Sequence, residues 1–300
     1  MQVLVAGALH LDIIVDAPHL PRRDETVTGS AVAYRMGGKG GNQAVAAARM
    51  GAVTAMAGRV GRDGFGARIL EALDAAGVDR SRVVAGDGPT GISVAIVEAT
   101  GEYGAVIVSG VNGTVRADDI ELPAGLRVLM LQNEIPEAVN LALARRAAPG
   151  TLLVLNAAPA RPVARDLLAR TDVLVVNRIE AAQMTGAAPA LPDPAAAARL
   201  LRGLGPKAVI VTLGADGLLA ATPDGMFTLP APAVRVVSTH GAGDAFTGAL
   251  GAALAGGAAL ADAARLAQAA AALTVASPPD ARGAVTADAV RAFLDQSSMP

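Results

Sequence analysis

The sequence predicts an α/β protein: a mostly parallel central sheet covered by helices on both faces, with a small separate β-sheet beside it. Three observations carry this. From Arg127 onward, short apolar strands alternate with helical stretches, the pattern of strands buried on both sides. Two β-rich runs, Gly91–Ala99 and Gly104–Ser109, flank the turn Thr100-Gly-Glu-Tyr and read as a hairpin. Residues 26–35 are polar and β-prone, and a helical segment separates them from that hairpin. Together these runs suggest a small antiparallel sheet, arranged as a lid built from two insertions, about 11–36 and about 91–110, would be.

The chain of 300 residues suffices for one large α/β domain, and 1–300 reads as a single unit. Hydrophobic residues make up 52% but aromatics only 2%, so the core is built from Ala, Val, Leu and Ile. The net charge of −2 argues against a nucleic-acid partner, which calls for a basic surface. The absence of cysteine excludes disulfides, thiolate catalysis and Cys-ligated zinc. No long uninterrupted apolar run suggests a membrane span, and the first residues read as a strand rather than a signal peptide. A cytoplasmic chain is therefore expected.

The elements follow in order. Residues 2–6 form a first strand ending at Gly7, followed by His10 and Asp12, polar residues past a strand end where open α/β sheets bind ligands. Two apart on an extended chain, these side chains point the same way; a surface histidine and a loop acid would look alike. After residues 26–35 comes Met36-Gly-Gly-Lys-Gly-Gly-Asn-Gln43, opening a helix over 44–50. It lacks the P-loop spacing. Its glycines allow close backbone approach to a ligand, and Lys39 and Asn42 can hydrogen-bond to hydroxyls; Asn42 can equally be a helix cap. A strand at 54–59 and a helix at 67–76 follow, and glycines 58, 61, 64 and 66 do not make a clean dinucleotide fingerprint.

Strands are expected at 127–132, 151–155, 172–176 and 207–212, with helices at 137–147, 162–169, 179–184 and 194–203. Residues 186–195 read as a loop, and a hairpin pairs 218–221 with 226–229. Glu134, Asn156, Asn177 and Glu180 lie past strand ends. Asn177 and Glu180, three apart at a helix start, can hold a hydrated Mg²⁺ through water, or Glu180 can simply be a helix N-terminal acid.

An apparent strand, 233–237, then leads into Ser238-Thr-His-Gly-Ala-Gly-Asp244 and a helix to about 255, with further helices at 260–275 and 287–293. A glycine turn opening a helix presents free N–H groups and the positive dipole end to an anion. Asp244 in the first turn is either a base beside that anion or a capping acid.

Two motifs in this order, Gly37–Gly51 and Thr239–Gly248, resemble the ribokinase-like, or PfkB, family of carbohydrate kinases. Asn156-Ala-Ala-Pro-Ala160, Asn177-Arg-Ile-Glu180 and Thr212-Leu-Gly214 match between them, so the likeness spans nearly the whole chain and is greatest to the ribokinase branch. The resemblance implies a three-layer α/β/α sandwich with a β lid that often serves as the dimer contact. It implies ATP-dependent phosphorylation of a sugar hydroxyl, with ribose or a related pentose the leading acceptor and a nucleoside or other sugar the alternative. A sugar-binding regulator without catalysis is a further reading, and an NAD-dependent oxidoreductase a distant one.

On this resemblance Asp244 is the base and the backbone of Gly241, Ala242 and Gly243 the anion hole. His10, Asp12, Gly38, Lys39, Asn42 and Glu134 match sugar-contacting positions. Asn177 and Glu180 match the Mg²⁺ motif. Thr212, Gly214 and Gly217 match the nucleotide loop, with Asn177 beside it and Gln268 near the adenine. Three departures stand out. His10 replaces a usual Asn. His240 replaces a usual Thr or Ala, so two of the three histidines fall at the expected site. Ser238 replaces the Asp of potassium-activated members; the candidate monovalent-ion site at Ser238 and His240 loses a charge, so K⁺ activation is expected to be weak.

Overall fold

The computed structural model describes residues 2–98, 100, 102–187 and 190–297. Its strands are β1 Val3–Ala6, β2 His10–Ala17, β3 Ala31–Gly37, β4 Thr54–Gly61, β5 Asp79–Gly86, β6 Gly91–Glu98 and β7 Tyr103–Val108. They continue with β8 Val128–Gln132, β9 Leu152–Asn156, β10 Val173–Asn177, β11 Ala208–Thr212, β12 Leu218–Thr222 and β13 Gly225–Leu229. The helices are α1 Lys39–Arg49, α2 Gly64–Ala75, α3 Glu137–Arg146, α4 Arg165–Arg170, α5 Arg178–Thr185, α6 Pro194–Gly203, α7 Ala242–Ala255, α8 Leu260–Ala276 and α9 Ala287–Ser297.

Among the described residues, nine strands form one sheet in the order β13-β12-β11-β10-β9-β8-β1-β4-β5. The run from β11 to β5 is parallel, and the β12–β13 hairpin adds antiparallel to its edge. Alternation along each strand builds two cores. Val3, Val5, Val128, Met130 and Val154 face α1, α2, α7, α8 and α9. Leu4, Ala6, Leu129, Leu131, Leu153 and Leu155 face α3, α4, α5 and α6. Successive residues therefore meet opposite helix layers, which is why these strands read as continuous apolar runs. Among the described residues no helix is long and apolar enough to cross a membrane.

The small sheet runs β3-β2-β6-β7. Its outer pairs are antiparallel, but β2 and β6 run parallel, so the expected all-antiparallel sheet is corrected to a mixed one. The two hairpins are separate excursions from the main sheet, and their first strands leave it in the same direction. Ala99 and Gly101, within the expected hairpin and its turn, lie outside the described residues, as do 188 and 189 of the expected Ala/Pro loop.

Four further expectations change. His10 and Asp12 are not in a loop: they begin strand β2. β5 was not anticipated, because Asp79-Arg-Ser-Arg interrupts its apolar pattern at the sheet edge. The strand expected at 233–237 is absent; the segment is irregular, held where Val237 N–H donates to the Val275 carbonyl at 2.7 Å. Finally, α1 starts at Lys39 rather than Ala44, through a pair of glycines that disfavour helix. A tertiary bond offsets that propensity: the Lys39 N–H donates to Glu134 Oε2 at 2.7 Å.

Candidate active site

Asp244 lies in the first turn of α7, buried to 8% exposure. Gly241 precedes that helix at φ +78°, a left-handed conformation open to glycine, and turns the chain so that the first amides of α7 face outward. Of these, the Ala242 N–H also donates within the turn, to the Thr239 carbonyl at 3.3 Å. Asn42 Nδ2 donates to Asp244 Oδ2 at 3.2 Å and Gln43 Nε2 to Oδ1 at 3.0 Å. Both carboxylate oxygens are thus aimed by amides from α1. The two helices meet closely because Gly248 carries no side chain: a Cβ there would lie 2.6 Å from the Gln43 carbonyl oxygen.

Gln43 belongs to a chain of buried amides. Its Nε2 also donates to Asn156 Oδ1 at 3.0 Å, and its Oε1 accepts from Gln132 Nε2 at 2.8 Å. Asn140 Nδ2 in turn donates to the Gln132 carbonyl at 2.7 Å. The sequence reading missed Gln43, Gln132 and Asn140. The available signal was a glutamine on the Ala-rich, core-facing side of α1, where a buried polar group calls for partners.

Lys39 sits among carboxylates. Burial works against its ammonium, but the charges of Asp244, Glu134 and Glu180 outweigh this and hold its pKa above the ordinary value. Glu134 is pushed up to about 7, chiefly by burial, against the pull of the Lys39 N–H and ammonium. Gly38 packs closely on its own chain: a Cβ there would lie 2.6 Å from the Ala8 carbonyl oxygen.

The raised Glu134 pKa sets a pH dependence of stability. The unfolded carboxyl ionises near 4.5, so between there and about 7 the folded state holds the extra proton. Stability from this group therefore falls as pH rises through that window and levels off above it. Glu134→Gln is expected to flatten the fall in urea midpoint across that window. Glu180, also raised by burial, leaves a residual slope of the same sign.

His10, 3% exposed, has its pKa lowered by burial, partly offset by Asp12, and is neutral near pH 7. Its Nε2 is buried with no partner, at a cleft of about 440 Å³ that Asn133, Glu134, Pro159 and Arg161 also line. Asp12 shares its strand face and lies 3.8 Å from His240 Nε2. Asp12, Lys39, Asn42, Glu134 and Asp244 thus come together, with His10 and His240 at their margin.

On the other side, Asn177 and Glu180 form a capping box. The Asn177 side chain accepts from the Glu180 N–H at 2.9 Å, and Glu180 Oε2 accepts from the Asn177 N–H at 2.8 Å. The pair is first a helix cap, yet Glu180 still senses Lys39 and Asp244. Among the described residues no three His, Asp or Glu side chains gather as a metal cage. One or two oxygen ligands suit Mg²⁺, which keeps waters and takes the rest from phosphates.

Thr212 pairs with Asn177 at adjacent strand ends, followed by a tight turn over Gly214–Asp216. Gly217 packs on Leu229: a Cβ there would lie 2.0 Å from the Leu229 carbonyl oxygen, to which Gln268 Nε2 donates at 3.3 Å. Ser238 offers no carboxylate, and its carbonyl accepts from Arg282 Nη2 at 3.3 Å. Arg282 and Arg161 were also missed.

A buried acid in the first turn of a helix that opens on a left-handed glycine suits a phosphoryl-transferring enzyme. The pfkB family carbohydrate kinase profile matches residues 2–286, and the chain belongs to that family. It is 34% identical to a ribokinase of Schizosaccharomyces pombe over 273 residues, covering 85% of this chain and 86% of that protein. Its fold matches the Thermotoga maritima ribokinase with a TM-score of 0.91 at 28% identity, over 98% of this chain and 99% of the other. The Arabidopsis thaliana ribokinase complexed with ribose and ATP matches with a TM-score of 0.88 at 31% identity, over 97% and 98%.

Proposed function

We propose that this chain transfers the γ-phosphoryl group of ATP to a hydroxyl of ribose or a closely related pentose in the cytoplasm. The observation that carries the reading is the Asp244 carboxylate, aimed by Asn42 and Gln43 beside the open N-terminus of α7. Asp244 takes the proton of the sugar hydroxyl as that oxygen attacks the γ-phosphorus in line. The new O–P bond forms as the bond to the β-phosphate oxygen breaks, and ADP leaves. The amides of Gly241, Ala242 and Gly243 face the charge on the transferring oxygens. Asp12, Gly38, Lys39, Asn42 and Glu134 hold the sugar. Thr212, Gly214, Gly217 and Gln268 hold the nucleotide. Mg²⁺ would be held through water by Glu180 with Asn177 beside it, neutralising phosphate charge.

A second acceptor class, nucleosides or other sugars, is favoured by His10 and the cleft beside Glu134. The deciding experiment measures ADP formation from Mg-ATP across pentoses, hexoses and nucleosides and compares kcat/KM. No ADP with any of them overturns the kinase reading. Sugar-induced thermal stabilisation without ADP would instead mark a binding protein.

The chain is also proposed to dimerise through the small sheet, acting as a lid. The register places Val106, Val94, Ile13 and Tyr34 in one row of that sheet, with Val32 and Val108 on the same face. Val106 is 67% exposed, Val32 54%, Val108 49% and Tyr34 45%, an apolar surface that a second copy would cover. Val106→Glu is expected to convert a dimer to a monomer in sedimentation; a wild-type monomer would overturn this.

A further inference from the structure

The turn that opens α7 is backed by an arginine whose placement bears on monovalent-cation use. A short 3-10 turn, Pro279–Ala284, carries Arg282 beneath the Ser238–Gly241 segment. Its Nη2 donates to the Ser238 carbonyl at 3.3 Å. Its Nη1 lies 3.6 Å from the Cβ position that Gly241 lacks, at the N-cap of α7. The Arg282 carbonyl accepts from Arg49 Nη1 at 3.2 Å, at the last turn of α1, so the arginine is clamped from the helix that aims Asp244.

The charge at this place is uncompensated. Among the described residues no carboxylate pairs with Arg282, and its Nε is buried without a partner. The nearest acid in sequence, Asp280, is engaged by Arg35 at 2.9 Å. Burial first, and the Arg35 charge second, push the Arg282 pKa below the ordinary arginine value. A guanidinium nevertheless stays charged across the physiological range.

A bound potassium ion does not fit here. Such an ion needs converging oxygens and tolerates no neighbouring cation. Ser238 brings no carboxylate, its carbonyl already accepts from Arg282, and a second cation beside the guanidinium would be repelled. Resting on the phosphoryl-transfer reading above, we infer that the Arg282 guanidinium stands permanently in place of a monovalent cation. It fixes the Ser238–Gly241 turn and sets a positive charge beneath the first amides of α7, where the transferring phosphoryl oxygens carry charge. Arg282 is thus a positioning residue for the anion hole, and the enzyme needs no alkali ion.

The test uses the full chain, the Tris salt of ATP, and potassium, sodium or tetramethylammonium chloride as the only added monovalent salt. Wild-type kcat should vary less than about twofold among the three, because the required charge is covalently present. Arg282→Met should lower kcat by about 10- to 100-fold with the sugar KM nearly unchanged, the mark of an interaction made in the transition state. Added guanidinium or potassium should restore part of that loss in the variant alone, which a merely structural arginine would not produce.

Thermal denaturation with Mg-ADP gives a second readout that needs no acceptor. Potassium should raise the Tm of the Arg282→Met complex relative to sodium and leave wild type unmoved. This separates failure of the inference from failure of the kinase reading. If Arg282→Met does not fold, Arg282→Lys decides: it should show reduced kcat and still no potassium effect. Strong activation of wild type or of the Lys variant by potassium over sodium overturns the inference, as does a Met variant with wild-type kcat.

Discussion

Asp244→Asn is expected to lower kcat by about a thousandfold, while ADP affinity and the sugar KM stay within about threefold. The substitution keeps the size of the side chain and removes its capacity to take a proton. The attacking hydroxyl must then lose its proton to water. The fold should survive. The new amide can still accept one hydrogen bond through its oxygen, but its NH₂ faces either Asn42 Nδ2 or Gln43 Nε2, so one of these bonds is lost. That costs about 1 kcal/mol of stability, visible as a small fall in urea midpoint. Steady-state kinetics with the best acceptor from the panel, together with ADP titration, checks both halves. Wild-type turnover in this variant would remove Asp244 as the base and leave it as an acceptor that ties α7 to α1.

Much of this was legible in the chain because it rests on local signals. The alternating strands and helices after Arg127 are visible as apolar runs since both faces of the sheet are covered. The glycine turn before Asp244 is visible because only a small residue turns the chain into α7 there. What escaped depends on contacts across the fold. The start of α1 at Lys39 is set by Glu134, 95 positions away, whose carboxylate accepts the first helical N–H. Strand β2 was hidden because His10 and Asp12 look like loop residues until β6 lies beside them. Arg282 carries no motif of its own, and only the 3-10 turn that brings it under Ser238 gives it meaning. The same holds for the amide chain: a glutamine next to Asn42 reads as a neighbour of the site until Gln132 and Asn156 are seen on either side of it.

That chain makes Gln43→Leu the second large effect. Gln43 is fully buried and uses both ends of its amide: two acceptors, Asp244 Oδ1 and Asn156 Oδ1, and one donor, Gln132 Nε2. Leucine fills similar space but strands all three. Gln132 already has a buried Oε1 without a partner, so it has no spare bond with which to absorb the loss. The expected destabilisation is about 2–4 kcal/mol, since unmade buried hydrogen bonds cost more than the bonds themselves contribute. Turnover should fall by about 10- to 100-fold, because a carboxylate held only by Asn42 spends less time aimed at the hydroxyl. These two effects have different origins, and a double variant separates them. If Gln43 serves catalysis by aiming Asp244, then Asp244→Asn with Gln43→Leu is no slower than Asp244→Asn alone, although it unfolds more easily than that single variant. If the double variant instead loses the full Gln43→Leu factor again, Gln43 supports the site through the fold and not through the carboxylate it touches.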